Sequence, residues 1–97
     1  MGTKAAELAA LLNGRNIFHV NIEKPDDHGS IVETLIQDPQ GVTHSVEGNI
    51  FTFTGNGKTA SFTMKESAQI ITNRTEEGGI IVTLAENGGL QIKSKDN

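Results

Sequence analysis

The chain has 97 residues, a formal net charge of −4 at pH 7, no cysteine, and four phenylalanines as its only aromatic residues. A chain this short is typical of one domain with a thin core, because small proteins bury a smaller share of their surface. The missing cysteines exclude disulfides and thiolate chemistry. The acidic balance argues against nucleic-acid binding, which needs clustered lysine and arginine.

The N-terminal residues 3–13, TKAAELAALLN, predict a helix because they are rich in strong helix formers. Thr3 is the expected N-cap, and Asn13-Gly14 is the expected stop. A helix of about ten residues is marginal alone in water, so its apolar stripe must pack on the sheet or on a neighbouring subunit. The candidate partner-binding residues are the members of this stripe: Ala5, Leu8, Leu11 and Leu12.

The remaining residues, 16–94, predict strands. In NIFHVNIE, residues 16–23, Phe18, Val20 and Ile22 alternate with polar residues, as in a strand with one wet face. The periodicity of SIVETLIQ, residues 30–37, fits a helix or a strand. The turn signal Asp38-Pro39-Gln40-Gly41 that follows favours a strand.

After this turn signal, short segments rich in Ile, Val, Phe and Thr alternate with Gly and Asn turns. The whole pattern predicts a mainly β fold: an antiparallel meander forming a small sandwich or barrel, with one short N-terminal α-helix. We expect one β-rich domain over residues 1–97, with the helix in 1–14 and the strands in 16–94.

The C-terminal segment predicts a hairpin, because two apolar runs, 80–84 and 90–92, flank the turn signal Asn87-Gly88-Gly89. The alternation within the runs indicates that this hairpin supplies core rather than a chemical site. As the last strand of the chain, it is expected at a sheet edge, where it could pair with another copy.

Two loops resemble ligand sites at first sight. In GNGKT, residues 55–59, the Gly-Lys-Thr tail of a phosphate loop is present, but Thr52 stands where its first glycine belongs and a strand follows, so a hairpin turn is predicted. Asp26, Asp27 and His28 lack the ligand spacing of calcium and zinc sites, which favours a solvated loop. No metal and no cofactor is therefore predicted.

The remaining histidines offer one catalytic arrangement. His44-Ser45 and His19 could meet across strands, with Glu23 or Glu33 as the orienting carboxylate. Ser45 lacks the flanking glycines of a nucleophile elbow. The sequence therefore predicts a protein that is not an enzyme.

Three functions remain, in decreasing order of expectation. The first is a non-catalytic structural or assembly protein, a self-associating β-rich subunit of a viral or other large assembly. The second is a small acidic inhibitor or ligand-sequestering protein, and the third is a small hydrolase. The expected partners are further copies of the chain or another protein, with no nucleic acid and no membrane. No signal peptide or transmembrane segment is recognised, which predicts a cytoplasmic protein or part of an intracellularly assembled particle.

Overall fold

The structure is a computed structural model that describes residues 3–85 and 89–96, apart from the side chains of residues 25 and 96. It contains one helix followed by seven strands. In chain order these are α1 (Lys4–Leu12), β1 (Arg15–Asp26), β2 (Gly29–Glu47), β3 (Ile50–Gly55), β4 (Lys58–Thr63), β5 (Ile70–Arg74), β6 (Gly79–Leu84) and β7 (Leu90–Asp96). Within this part of the chain, no helix has the length and apolar character needed to cross a membrane.

The predicted helix is confirmed, together with its cap. The Thr3 hydroxyl accepts a hydrogen bond from the backbone N–H of Ala6 at 3.1 Å, which satisfies one of the free donors of the first turn. The helix ends at Leu12, and Gly14 follows with a φ of 80°, a conformation that glycine adopts without steric cost.

The predicted fold class is confirmed, since the strands form an antiparallel sheet beside one short helix. The strand order is β4-β3-β2-β1-β7-β6-β5. Two meanders, β1 to β4 and β5 to β7, are therefore joined where β7 pairs with β1. The edge strands of the sheet are β4 and β5.

The connection between the two edge strands shows that the sheet is curled. Six residues, 64–69, join β4 to β5. In a flat seven-stranded sheet, the two edge strands would lie about 29 Å apart, because neighbouring strands are about 4.8 Å apart. The six-residue connection can span at most about 25 Å. Met64 and Ala68 in the connection are buried, so it also covers part of the core.

Strand β2 is 19 residues long and changes its neighbour along its length. Its first part pairs with β1, from Gly29 to Gln37 and again at Val42. Its last part, Thr43 to Glu47, pairs with β3. Residues 30–37 are therefore strand, as predicted, but the strand continues through the turn signal 38–41. The Asp38 carboxylate accepts hydrogen bonds from the N–H groups of Gln40 and Asn56, each at 3.0 Å, and so ties this bend to the β3–β4 turn.

Strand β1 departs from the predicted alternation. Its register shifts twice against β2, once between Ile17 and His19 and again between Val20 and Asn21. Such bulges move residues to the opposite face of a sheet. As a result Val20 is buried as expected, but Asn21, predicted on the wet face, is only 3% exposed, and its Oδ1 has no hydrogen-bond partner among the described residues.

The C-terminal hairpin supplies core, as predicted. Its two strands pair from Leu84 opposite Leu90 onward, and the inward residues of both are buried: Ile80, Val82, Leu84, Leu90 and Ile92. The predicted position at a sheet edge is wrong, because β7 lies between β1 and β6. Of the predicted turn residues, Asn87 and Gly88 lie outside the described part of the chain.

Candidate interaction surface

The candidate partner-binding stripe of the helix packs on the chain's own sheet. Ala5, Leu8 and Leu12 have no exposed surface and belong to the same core as Phe51. Leu11 alone of the four is partly buried, packed against the rim of that core. Partner binding by this stripe stays a prediction, and in the folded chain only Leu11 retains surface for it.

The two strand histidines have partners unrelated to a catalytic triad. His19 Nε2 lies 3.0 Å from Thr34 Oγ1, and burial, helped by the nearby Lys93 charge, lowers the pKa of His19. The His44 ring stacks on Phe51 at 5.5 Å and 9°, and burial lowers the pKa of His44. The structure therefore does not supply the hydrogen-bonded relay that the sequence allowed.

Of the two candidate orienting carboxylates, one has an ion-pair partner, and the candidate nucleophile lies within a strand ladder. Glu33 forms an ion pair with Lys24 at 2.7 Å between exposed side chains. Ser45 lies opposite Thr52 in the β2–β3 ladder.

Both ligand-like loops lie at hairpin turns. Asp26, Asp27 and His28 lie at the exposed tip of the β1–β2 hairpin, where Asp26 Oδ1 accepts the N–H of Asp27 at 2.7 Å. Over residues 3–85 and 89–96, no three acidic, cysteine or histidine side chains are placed to hold a metal ion. In GNGKT, Asn56 and Gly57 form the two-residue turn of the β3–β4 hairpin with φ of 50° and 74°, which confirms the predicted turn.

A cleft of about 380 Å³ lies beside the β5–β6 turn. The Lys95 ammonium sits 5.1 Å from the centre of the Phe18 ring at this cleft. The lysines Lys93 and Lys95 and the glutamates Glu76 and Glu77 line the cleft in equal number, so the lining favours neither an anion nor a cation.

The outward face of β2, β3 and β4 carries two rows of hydroxyl side chains. One row consists of Thr43, Thr54 and Thr59. The other consists of Ser45, Thr52 and Ser61. Thr52 and Ser61 lie 3.0 Å apart, so these hydroxyls hydrogen-bond to each other across the strands. The repeated Thr-x-Ser and Thr-x-Thr pattern of the three segments is the sequence signal for this face, and our sequence reasoning did not use it.

Among the described residues, the most exposed large apolar side chains lie on the hairpin formed by the end of β1 and the start of β2. We call its paired segments, residues 22–26 and 29–33, the β-arm. Ile31 and Val32 are 51% and 58% exposed. The β-arm extends beyond Asn21, the last residue of β1 that pairs with β7.

The two long edges of the β-arm differ. On the β1 edge, the N–H of Glu23 donates to the carbonyl of Gly89 at 3.3 Å, and Pro25 has no N–H to offer a further strand. On the β2 edge, pairing with β3 begins only at Thr43, and over the described residues no second strand pairs with 29–37. The β2 edge of the β-arm is therefore open.

The sequence contains a signal for this surface. Ile31 and Val32 are neighbours in a strand, so they must point to opposite faces, and one of the two faces away from the core. That the β2 edge is open depends on where β3 begins to pair, which the local pattern does not contain.

Comparison of the chain with protein-family models, curated proteins and solved structures finds no match. Function must therefore be inferred from the geometry of this chain alone.

Proposed function

We propose that the chain is a non-catalytic assembly protein that associates with further copies of itself through the β-arm. The observation that carries this proposal is the pair Ile31 and Val32, more than half exposed on a two-stranded ribbon with an open edge. Isolated two-stranded ribbons are at best marginally stable in water. Exposed apolar strands at a sheet edge are also the usual template for pairing with another chain.

The charges of the β-arm favour a specific contact over uncontrolled aggregation. Ile31 lies opposite Lys24 on one face, and Val32 lies opposite Glu23 on the other. Each apolar side chain is thus flanked by a charge that must be matched or kept in water, which limits the surfaces that can cover it.

The non-catalytic part of the proposal is supported by the contacts of the histidines. His19 is bonded to Thr34, and His44 is stacked on an aromatic ring. We expect a general hydrolase screen to detect no activity. A hydrolase activity that the substitution His44→Ala or His28→Ala abolishes would contradict this part of the proposal.

The self-association is tested by measuring the mass in solution by light scattering. The wild-type chain is compared with the double variant Ile31→Ser/Val32→Thr and with the control Ile71→Ser, which changes an apolar residue 43% exposed on β5. Burying a large aliphatic side chain contributes about 1.5–3 kcal/mol, so losing two should weaken association at least tenfold.

We expect an oligomer for the wild type and the control, and the monomer mass of 10.4 kDa for the double variant. A wild-type chain that is monomeric would contradict the proposal and favour the monomeric inhibitor. An unchanged oligomer in the double variant would place the interface elsewhere.

A further inference from the structure

We infer that a second copy joins by strand addition: the open β2 edge between Ser30 and Thr34 pairs antiparallel with the same edge of another copy. This inference rests on the self-association proposed above and names the atoms that mediate it. Strand addition at a free edge gains affinity from main-chain hydrogen bonds and specificity from alternate side chains.

The pairing within the β-arm determines which backbone groups face the open edge. Antiparallel ladders alternate between pairs that exchange hydrogen bonds and pairs that do not. Asp26 and Gly29 flank a two-residue turn and so form a bonded pair. Two positions further along each strand, Lys24 and Ile31 form the next bonded pair.

The pairs in between direct their backbone groups outward. An independent contact supports this alternation of inward and outward groups. Glu23 is paired with Val32, and its N–H points away from β2 and bonds to the carbonyl of Gly89. On β2, the N–H and C=O groups of Ser30, Val32 and Thr34 therefore face the open edge.

The open edge formed by these three residues can pair with the same edge of a second copy. In an antiparallel pairing centred on Val32, each Val32 lies opposite the Val32 of the other copy, and Ser30 lies opposite Thr34. The register forms about six backbone hydrogen bonds, because each outward residue exchanges two with its opposite. A two-fold axis through Val32 makes the contact isologous, as in most dimers.

Side-chain charge disfavours the neighbouring register centred on Glu33. With Val32 at the centre, Glu33 lies opposite Ile31 of the other copy. A register centred on Glu33 would instead place two carboxylates directly opposite each other, which is destabilising. The charge pattern therefore separates two registers that the backbone alone would allow.

The resulting sheet explains both the stability and the limit of the contact. Two β-arms joined at their β2 edges form a four-stranded ribbon, which exceeds the two strands that are marginal alone. On the opposite edge of each β-arm, the N–H of Glu23 already bonds to the Gly89 carbonyl, and Pro25 has no N–H to donate. Growth through the β-arm therefore ends at a dimer.

The first test removes one outward N–H. Val32→Pro eliminates a donor of the intermolecular ladder and leaves the bonded pairs with β1 intact, whereas the control Val32→Thr keeps the N–H and the branched shape. We expect Val32→Pro to be monomeric with the wild-type circular dichroism spectrum, and Val32→Thr to remain dimeric. A Val32→Pro variant that stays dimeric would overturn the inference.

The second test needs no proline and uses the absence of cysteine from the chain. In the proposed register the two Val32 Cα atoms lie about 5.5 Å apart, within the range that a disulfide spans. We expect Val32→Cys to form an interchain disulfide on mild oxidation, and the control Ile71→Cys to form none.

The outcomes separate the two proposals. A dimeric wild type in which Val32→Cys fails to cross-link faster than Ile71→Cys overturns strand addition and leaves self-association standing. A wild type that is monomeric at all concentrations overturns both.

Discussion

At the residue scale, Gly79 has the least room for a side chain among the described glycines. A Cβ there would overlap the carbonyl oxygen of Ser94, a backbone atom of β7. We expect Gly79→Ala to lower the free energy of unfolding by about 1–3 kcal/mol, because the β6–β7 ladder must shift to admit the methyl group.

The matched control is Gly55→Ala. Its Cβ would lie 3.1 Å from a Val42 methyl carbon and 3.2 Å from an Ile36 methyl carbon, which are side-chain atoms that can adjust. Chemical denaturation of both variants gives the comparison. A Gly55 variant less stable than the Gly79 variant would show that side-chain packing constrains the fold more than strand spacing does.

The lowered histidine pKa values predict a pH dependence of stability. Because burial lowers the folded-state pKa of His44 below its ordinary 6.5, the unfolded state binds more protons, and stability rises with pH in this range. The contribution is present above pH 6.5 and is lost as the pH falls from 6.5 toward the folded-state value. His19 acts in the same direction.

Denaturation measured between about pH 7.5 and 5.5 tests this dependence. We expect the wild type to lose stability on acidification, and His44→Gln to lose less over the same interval. An identical pH profile for wild type and variant would mean that His44 does not titrate differently on folding.

At the element scale, the helix is tested by its buried leucines. Leu8 is fully buried against the core, so Leu8→Ala should cost about 2–5 kcal/mol of unfolding free energy. Leu11→Ala, at a partly buried position of the same helix, should cost less. Equal small losses would mean that α1 contributes little to the folded core.

The position of β7 sharpens the expectation for C-terminal truncation. Ending the chain after Asn87 removes a strand that lies between β1 and β6, so we expect loss of the cooperative melting transition. Ending it after Ser94 removes only the last pairs of the ladder, including Lys95 opposite Asn16, and should leave the transition in place. A cooperative transition in the shorter chain would contradict the central role of β7.

Much of the element inventory could be predicted because its signals are local. The Thr3 cap, the Asn56-Gly57 turn and the alternation in 80–84 depend on neighbouring residues only. The β1 bulges and the interior position of β7 depend on partners far along the chain, and a single alternation pattern does not encode them. The sequence expectation was wrong on these features and on the turn signal at 38–41, through which β2 continues.

At the scale of the whole molecule, the candidate site was harder to predict than the fold. The sequence predicted a partner-binding site on the helix stripe, but Leu8 and Leu12 of this stripe are buried in the chain's own core. The β-arm becomes a candidate only when the curled sheet leaves its β2 edge without a strand and its Ile31 and Val32 in solvent. Surface of this kind is defined by what the rest of the chain fails to cover.

The measurement that tests self-association through the β-arm most directly is amide hydrogen exchange of the wild-type chain at a dilute and a high protein concentration. The N–H of Ile31 bonds within the β-arm and should be protected at both concentrations, whereas the outward N–H of Val32 is free in a single chain. We expect exchange at Val32 to slow markedly at the high concentration while exchange at Ile31 changes less. Fast exchange at Val32 at both concentrations would contradict the account.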